Sequence, residues 1–352
     1  MPRMKVFVFD PIAAGGVPAR PLPQSLRRQG YMLQQALLAD LGALSGIEVT
    51  TTSGLDPDIM LDDGIRADSD GMDKAGADDP AAPAGTTANG AHRFGAHFAA
   101  GLQTADAVWP LASESDGVLE RLSRDVLHGK RVLLGSAPGA VEVAASKLKL
   151  ARVLADGGVA VAATYSPHAA LPADGGPWVV KPDNGAGCLD TRLFSDRTAA
   201  LAWIRANAAD GYVLQPFVAG KLGSLSLICC DGMAQVLACN QERVAMRDNR
   251  FHFLGSVVNG LADEDGALAC LAQQVAAAIP SLWGYVGVDF VLTARGATVL
   301  DVNPRLTAAY AGLHASTGCN PAGLVLDLLK SPAAMPARPG MRRAVSVDVG
   351  TP

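Results

Sequence analysis

The sequence predicts a mixed α/β fold (α/β with α+β character), with a parallel sheet at its start and an antiparallel sheet toward its end. Three observations predict it. Residues 4–10, MKVFVFD, form an apolar strand, and a helical stretch then leads to a second strand at 47–51, so the opening is a β-loop-α-β unit. Near the other end, apolar runs at 286–292 and 297–302 flank Ala294, Arg295 and Gly296, the pattern of a largely buried β-hairpin. Short apolar runs at 225–230 and 234–239 add another adjacent pair of strands.

In chain order, the loop Ala13-Ala14-Gly15-Gly16 follows the first strand, and Ser25 is placed to cap a helix running to Leu44. Residues 62–90 are acidic, rich in Ala, Gly and Asp, and nearly free of large apolar side chains, so they are expected to form a mobile surface insertion. Helices at 92–103 and 115–128 and strands at 105–110 and 131–134 complete a first α/β domain over 1–135. A helix at 139–156 carries Ser146-Lys147 and stops at Gly157-Gly158. The strand ending in Lys181-Pro182 feeds a glycine loop, and a helix at 197–208 and a strand at 211–215 finish a small unit over 136–218. A third unit over 219–330 holds the later strands, a helix at 263–278, the hairpin and a final helix at 319–330. The tail, 331–352, contributes one edge strand near 344–349.

Composition narrows the function classes. A chain of 352 residues has ample material for a core divided among several packed units. No apolar run reaches the roughly 18 residues of a membrane span, and the start MPRMKVFVFD lacks the layout of a secretory signal. A net charge of −5 argues against a general nucleic-acid binder. The six cysteines show no CxxC pairing, which points to reduced thiols and no zinc site. The expectation is a soluble cytoplasmic protein with no nucleic-acid or membrane partner.

Two stretches carry the chemistry. On the hairpin, Asp289 lies on one strand and Asp301 on the other, with Asn303 two residues on and therefore on the same face as Asp301. Two acids and an amide oxygen on one face make an all-oxygen site suited to Mg²⁺. Upstream, Lys181 is delivered by a strand into the loop Asp183-Asn-Gly185-Ala-Gly187-Cys188, where missing side chains let backbone N–H groups approach a phosphate. The loop lacks the GK[ST] of a Walker A motif. A glycine-rich hairpin turn would look similar, and only the downstream Asp, Asp, Asn set gives the loop its weight. Arg243, at the end of an apolar strand, is a candidate for gripping a carboxylate or phosphate oxygen, or else for a strand-end salt bridge. Asp10 with the loop after it is a candidate part of the acceptor site, and Tyr310 a candidate substrate wall or packing residue. The six histidines are scattered and receive no catalytic role.

The order Ser146-Lys147, then Lys181-Pro-x-x-Gly185-x-Gly187, an apolar hinge at 213–218, Val288-Asp289-Phe290 and Asp301-Val-Asn303-Pro-Arg305 resembles the ATP-grasp superfamily. The segments VFDPIAAGG, LLGSAPGAVEVAASKLKLARVLADGGVAVAATY, NQERV and VNPRLTAAYAGL are similar to the tyramine–glutamate ligase group of methanofuran- and methylofuran-type cofactor biosynthesis. The resemblance implies a pre-ATP-grasp α/β domain, a small central lid and an antiparallel C-terminal subdomain. It implies ATP as cofactor, with Lys147 on the α-phosphate and Lys181 on the α- and β-phosphates. The loop containing Asp183, Gly185, Gly187 and Cys188 would close over them. Gln215, Pro216, Phe217 and Val218 would hold the adenine. Asp289, Asp301 and Asn303 would hold a pair of Mg²⁺ ions, with Mn²⁺ able to substitute, and Arg305 would face the transferred phosphoryl group. Arg305, Lys181 and Arg243 are the catalytic candidates. The chain departs from the superfamily in having Gln215 where a Glu is common, and Leu222 where a ribose-binding Glu often stands.

The resulting expectation is an ADP-forming ligase joining a carboxylate, the glutamate γ-carboxyl, to an amine such as tyramine or tyrosine through an acyl phosphate. The small-molecule substrates are its partners, with homodimerisation left open. The alternatives are another amino-acid or peptide ligase of the same superfamily and an ATP-binding regulator without turnover. A nicotinamide dehydrogenase would need a GxGxxG that the AAGGVP stretch does not supply.

Overall fold

The computed structural model describes residues 3–14, 23–51, 86–173, 175–207, 209, 211–331, 335–340 and 342–350. The expected insertion at 62–90 lies outside the described residues as far as 85, as do residues 15 and 16 of the loop after the first strand. Residues 86–90 are not insertion but helix, the start of α2 (Thr86–Thr104).

The first layer is a four-stranded sheet, β1 (Met4–Phe9), β2 (Ile47–Thr51), β3 (Ala107–Pro110) and β4 (Val132–Leu133), in the order β2-β1-β3-β4. All three pairings are parallel, as the β-loop-α-β reading requires. Helix α1 (Gln24–Gly42) packs on one face of it, while α2 and α3 (Val118–His128) pack on the other. Ser25 does not cap α1; the N-cap is Pro23, which supplies no side-chain hydrogen bond.

The second layer is a nine-stranded sheet ordered β12-β11-β8-β9-β10-β6-β5-β7, with β13 (Val345–Asp348) also pairing β10. Its members are β5 (Trp178–Pro182), β6 (Arg192–Phe194), β7 (Tyr212–Pro216), β8 (Lys221–Cys230), β9 (Met233–Arg247), β10 (Arg250–Val258), β11 (Gly284–Thr293) and β12 (Gly296–Asn303). Every named pairing within it is antiparallel. Strand β8 reads as a continuous apolar run because it is covered on both faces. Leu225, Leu227 and Cys229 enter one core with α7 (Ala267–Ala278), while Ile228 and Cys230 enter the core shared with α1, α8 (Tyr310–Thr317) and α9 (Pro321–Leu328). This second core fixes the parallel sheet against the antiparallel one. A separate small core around Trp178, Val180 and Leu214 joins β5 and β7 to α6 (Arg197–Ala206).

Two differences from the sequence reading matter for the site. The helix expected over 139–156 is two helices, α4 (Pro138–Ala145) and α5 (Lys147–Asp156), broken at Ser146, whose extended backbone and side chain cap α5 by accepting from Lys149 N–H. Strand β9 does not end at 239 but runs to Arg247, with the stretch from Gln241 onward paired by β10, a strand that no sequence pattern indicates.

Candidate active site

The hairpin closes with Thr293 opposite Gly296, a two-residue turn one residue tighter than expected. A bulge at Leu300, between the Phe290–Val299 and Asp289–Asp301 pairs, shifts the register so that Asp289 stands opposite Asp301 and Gly287 opposite Asn303. The three oxygen-bearing side chains therefore share one face. Asn303 Nδ2 donates to Asp289 Oδ2 at 3.0 Å, and Val302 N–H donates to Asp301 Oδ1 at 3.1 Å. Beside them lies a cavity of about 300 Å³.

Both lysines reach the same cavity. Lys147 is the first residue of α5, not an interior helix position; the N–H groups of that first turn are taken by Asp183 and Ser146, so it is the lysine side chain that reaches the cavity. Its Nζ lies 3.3 Å from Asp301 Oδ2 and donates to the Gly185 carbonyl at 2.7 Å. Lys181, the penultimate residue of β5, brings its Nζ to 3.5 Å from the Leu300 carbonyl. Burial pushes the Lys181 ammonium down to about 8, with Lys147 adding to the effect and Asp301 and Asp289 opposing it. Burial likewise raises the Asp289 carboxyl to about 7, helped by the charges of Glu242 and Asp301.

Gly185, Gly187 and Cys188 line the cavity. Gly187 adopts φ +67°, where an L side chain is strained, and a Cβ there would come within 3.0 Å of Leu26 on α1. Asn184 Oδ1 accepts from Asp116 N–H at 3.0 Å, so the loop is also tied to the first layer. Cys188 follows in the left-handed region (φ 60°), and burial pushes its thiol up to about 12, so it is an inert wall. Gln215, Pro216, Phe217 and Val218 also line the cavity, as a hinge. Gln215 Nε2 donates to Thr164 Oγ1 at 2.7 Å, a bond that the commoner Glu could not donate.

Arg305 completes the cluster. Its Nη2 donates to Asn303 Oδ1 at 3.1 Å, and its Nε and Nη2 fork onto the two Glu114 oxygens at 2.5 and 3.1 Å. Burial alone would raise the Glu114 carboxyl, but the charge and hydrogen bonds of Arg305 outweigh it and hold it below the usual range.

Two predicted site residues stand elsewhere. Asp183 does not line the cavity: its carboxylate accepts from Ser146 Oγ (2.7 Å) and Leu148 N–H (2.8 Å), capping α5 and thereby positioning Lys147. Arg243 lies on the other face of β9, bonded to Asp348 and to the Val347 carbonyl (3.2 Å) of β13, because successive strand residues alternate faces. Its salt-bridge reading fits and the catalytic one does not. Asp10 turns its Oδ1 back to accept from Ile12 N–H and Ala13 N–H, and Tyr310 is buried against Asp40 of α1 at 2.9 Å. Leu222 does line the cavity, so no ribose-binding acid stands there. Sequence reasoning missed Glu114 and Glu242. Alternation along β9 would have found Glu242, which shares a face with Val244, had the strand been extended past Cys239.

Residues 144–309 match the family profile of the ATP-grasp domain, and 72–141 that of the pre ATP-grasp 3 domain, together about two thirds of the chain. The chain belongs to the ATP-grasp superfamily. No curated protein matches it significantly. Among solved structures, an ATP-grasp superfamily protein from Archaeoglobus fulgidus superposes with a TM-score of 0.66 at 20% identity, covering 98% of this chain and 92% of that one. An L-amino acid ligase from Bacillus licheniformis gives 0.60 at 16% identity, covering 93% and 74%. The biotin carboxylase domain of a Hydrogenobacter thermophilus 2-oxoglutarate carboxylase, solved with MgADP and bicarbonate, gives 0.63 at 15% identity, covering 97% and 73%. At these identities the likeness speaks for the fold. It is the ATP-grasp fold, a parallel sheet followed by a curled antiparallel one.

The residues of this ATP-grasp chain fit a bound Mg²⁺. Among the described residues no three His, Cys, Asp or Glu side chains form a ready cage. Mg²⁺ needs none, because it takes one or two carboxylates and fills its octahedron with phosphate and water oxygens. Asp289 supplies the independent sign: a carboxyl driven up by burial and two neighbouring acids is relieved by a cation.

Proposed function

We propose that the chain is an ADP-forming carboxylate–amine ligase, acting on the γ-carboxyl of glutamate and on tyramine, tyrosine or a close relative, in methylofuran-type cofactor biosynthesis. One observation carries the ligase reading: Lys147, Lys181, Asp289, Asp301, Asn303 and Arg305 meet at one cavity between a glycine loop and an apolar hinge. The finer substrate assignment is supported by the sequence resemblance.

A carboxylate does not condense with an amine in water because oxide is a very poor leaving group. Transfer of the γ-phosphoryl group from ATP to a carboxylate oxygen releases ADP and gives an acyl phosphate. The amine enters as its ammonium form and loses one proton to solvent, which frees its lone pair to attack the carbonyl carbon; the C–O bond to phosphate then breaks, and a second proton passes to solvent. Bound Mg²⁺ supplies charge neutralisation across the phosphate oxygens. Asp289, Asp301 and Asn303 would hold it. Lys147 and Lys181 would hold the α- and β-phosphates, and the backbone of 185–188 would cover them and exclude water from the acyl phosphate. Residues 215–218 would seat the adenine. Arg305, oriented by Glu114, would face the transferring group with donors that need no reorganisation.

The decisive experiment is a panel of carboxylates and amines with ADP release and product masses recorded. Glutamate with tyramine or tyrosine should stimulate ADP release and yield the amide mass; silence across the panel removes the ligase reading. A second reading, ligation of other amino acids, is favoured by the shared fold with an L-amino acid ligase. An idle nucleotide-binding regulator is disfavoured by the intact lysine and carboxylate set. Among the described residues no helix is long and apolar enough to cross a membrane. A cytoplasmic enzyme, with homodimerisation as one assembly state, completes the proposal.

A further inference from the structure

The wall of the cavity built by β9 and β10 has no part in the roles above. Glu242 stands on it, with one carboxylate oxygen accepting from Ser224 and the other from Ser256 Oγ at 2.6 Å. Ser256 is its cross-strand partner, so the carboxylate is held from both neighbouring strands. Its hydrogen-bond partners are neutral hydroxyls. Arg243 is committed to Asp348 on the other face. The cations lining the cavity are engaged elsewhere: Lys147 with Asp301, Lys181 against the Leu300 carbonyl, and Arg305 with Glu114. An anchored acid withdrawn from solvent, facing a cavity whose own cations are already committed, is costly unless a ligand brings another. Burial holds the Glu242 carboxyl above its usual range.

The wall next to Glu242 is apolar. Val244 lies on the same face two residues on, Phe253 pairs with it across the strands, and Phe251 stands on the same face of β10; all three line the cavity. Glu242 also lies within electrostatic reach of Asp289, at the end of the cavity where the carboxylates gather. We propose that Glu242 receives the ammonium group of the acceptor amine, and that Val244, Phe251 and Phe253 take its apolar or aromatic body. This rests on the ligase reading and adds to it the residue that selects the second substrate.

The test compares two acceptors in the full-length protein with glutamate and Mg-ATP. Hydroxylamine is small and uncharged near neutral pH, so it traps the acyl phosphate as a hydroxamate without calling on an ammonium site. Tyramine carries both a cation and an aromatic body. Glu242→Gln should lower kcat/KM for tyramine relative to that for hydroxylamine by about tenfold to a hundredfold, the worth of a hydrogen bond to a charged group. Ser256→Ala, which keeps the charge but loosens it, should lower the same ratio by about threefold to tenfold and provides the reading should the first variant fail to fold. An unchanged ratio in the folded variants overturns the inference while leaving the ligase standing. A wild-type protein that forms no hydroxamate with any carboxylate overturns the ligase reading and this inference together.

Discussion

The pKa values of Asp289 and Lys181 are moved from their ordinary ranges by the same cause, burial, and a bound metal–nucleotide would reverse both shifts. A cation beside Asp289, whose carboxyl sits at about 7, favours the ionised form, so binding on the acid side of that value releases a proton. Phosphates beside Lys181, whose ammonium sits at about 8, favour the charged form, so binding on the basic side of that value takes one up. Titration calorimetry with Mg²⁺ and a non-hydrolysable ATP analogue, in buffers of different ionisation enthalpy, should show net release near pH 6.5 and net uptake near pH 8.5, values flanking these pKa values. A proton balance that keeps one sign would contradict this account, and Asp289→Asn should remove the release alone. Asp301→Asn is expected to lower kcat for ADP formation by about a hundredfold or more, with the melting temperature little changed. Loss of folding would instead make Asp301 structural. At this scale the hairpin was readable because period-two alternation specifies which side chains share a face. Glu242 was not, because it lies in the part of β9 whose polar character hides the strand.

Helix α5 shows how an element is set by a bond that its own sequence does not contain. Residues 139–156 read as one helix, since Pro138 suits a first turn and no internal residue forbids continuation. What breaks it is Asp183, which accepts from Ser146 Oγ and Leu148 N–H and so competes with intrahelical bonding at the join. The break places Lys147 at a helix start, 2.7 Å from the Gly185 carbonyl. Asp183→Ala should therefore cost about 1–2 kcal/mol of stability, the worth of a lost cap, and should also raise the KM for ATP through a misplaced Lys147. Chemical denaturation and steady-state kinetics read the two effects separately, and Asp183→Asn, which still offers an acceptor to Leu148 N–H, should recover part of both. A variant less stable but unaltered in KM would show that the cap holds only the helix. The long buried strands β8 and β11 were legible from apolar runs alone, whereas β10 and α8 were not, because small and polar residues dilute their patterns.

At the scale of the molecule, Arg305 and Glu114 are 191 residues apart in sequence and form a two-pronged ion pair between the antiparallel and parallel layers. Neither residue announces the other: Glu114 reads as an ordinary acid ahead of a helix, and only the packing of the shared core brings the layers close enough. Removing one partner of such a pair strands a buried charge, so Glu114→Gln should destabilise the protein by about 3 kcal/mol or more and lower kcat by releasing Arg305 from its orientation. The pH dependence gives a sharper reading. The folded-state pKa of Glu114 is depressed below its ordinary 4.5, so its contribution is fully present above the unfolded value and is lost as pH falls through the folded one. The stability difference between wild type and Glu114→Gln should thus be constant near neutral pH and shrink only in the acid limb, below the ordinary carboxylate range. Melting temperatures of the two proteins followed into acid measure this directly. A gap that stays open through the lowest pH at which both remain folded would mean that the glutamate's shape, and not its charge, joins the layers, and Arg305 would then need another source of its orientation.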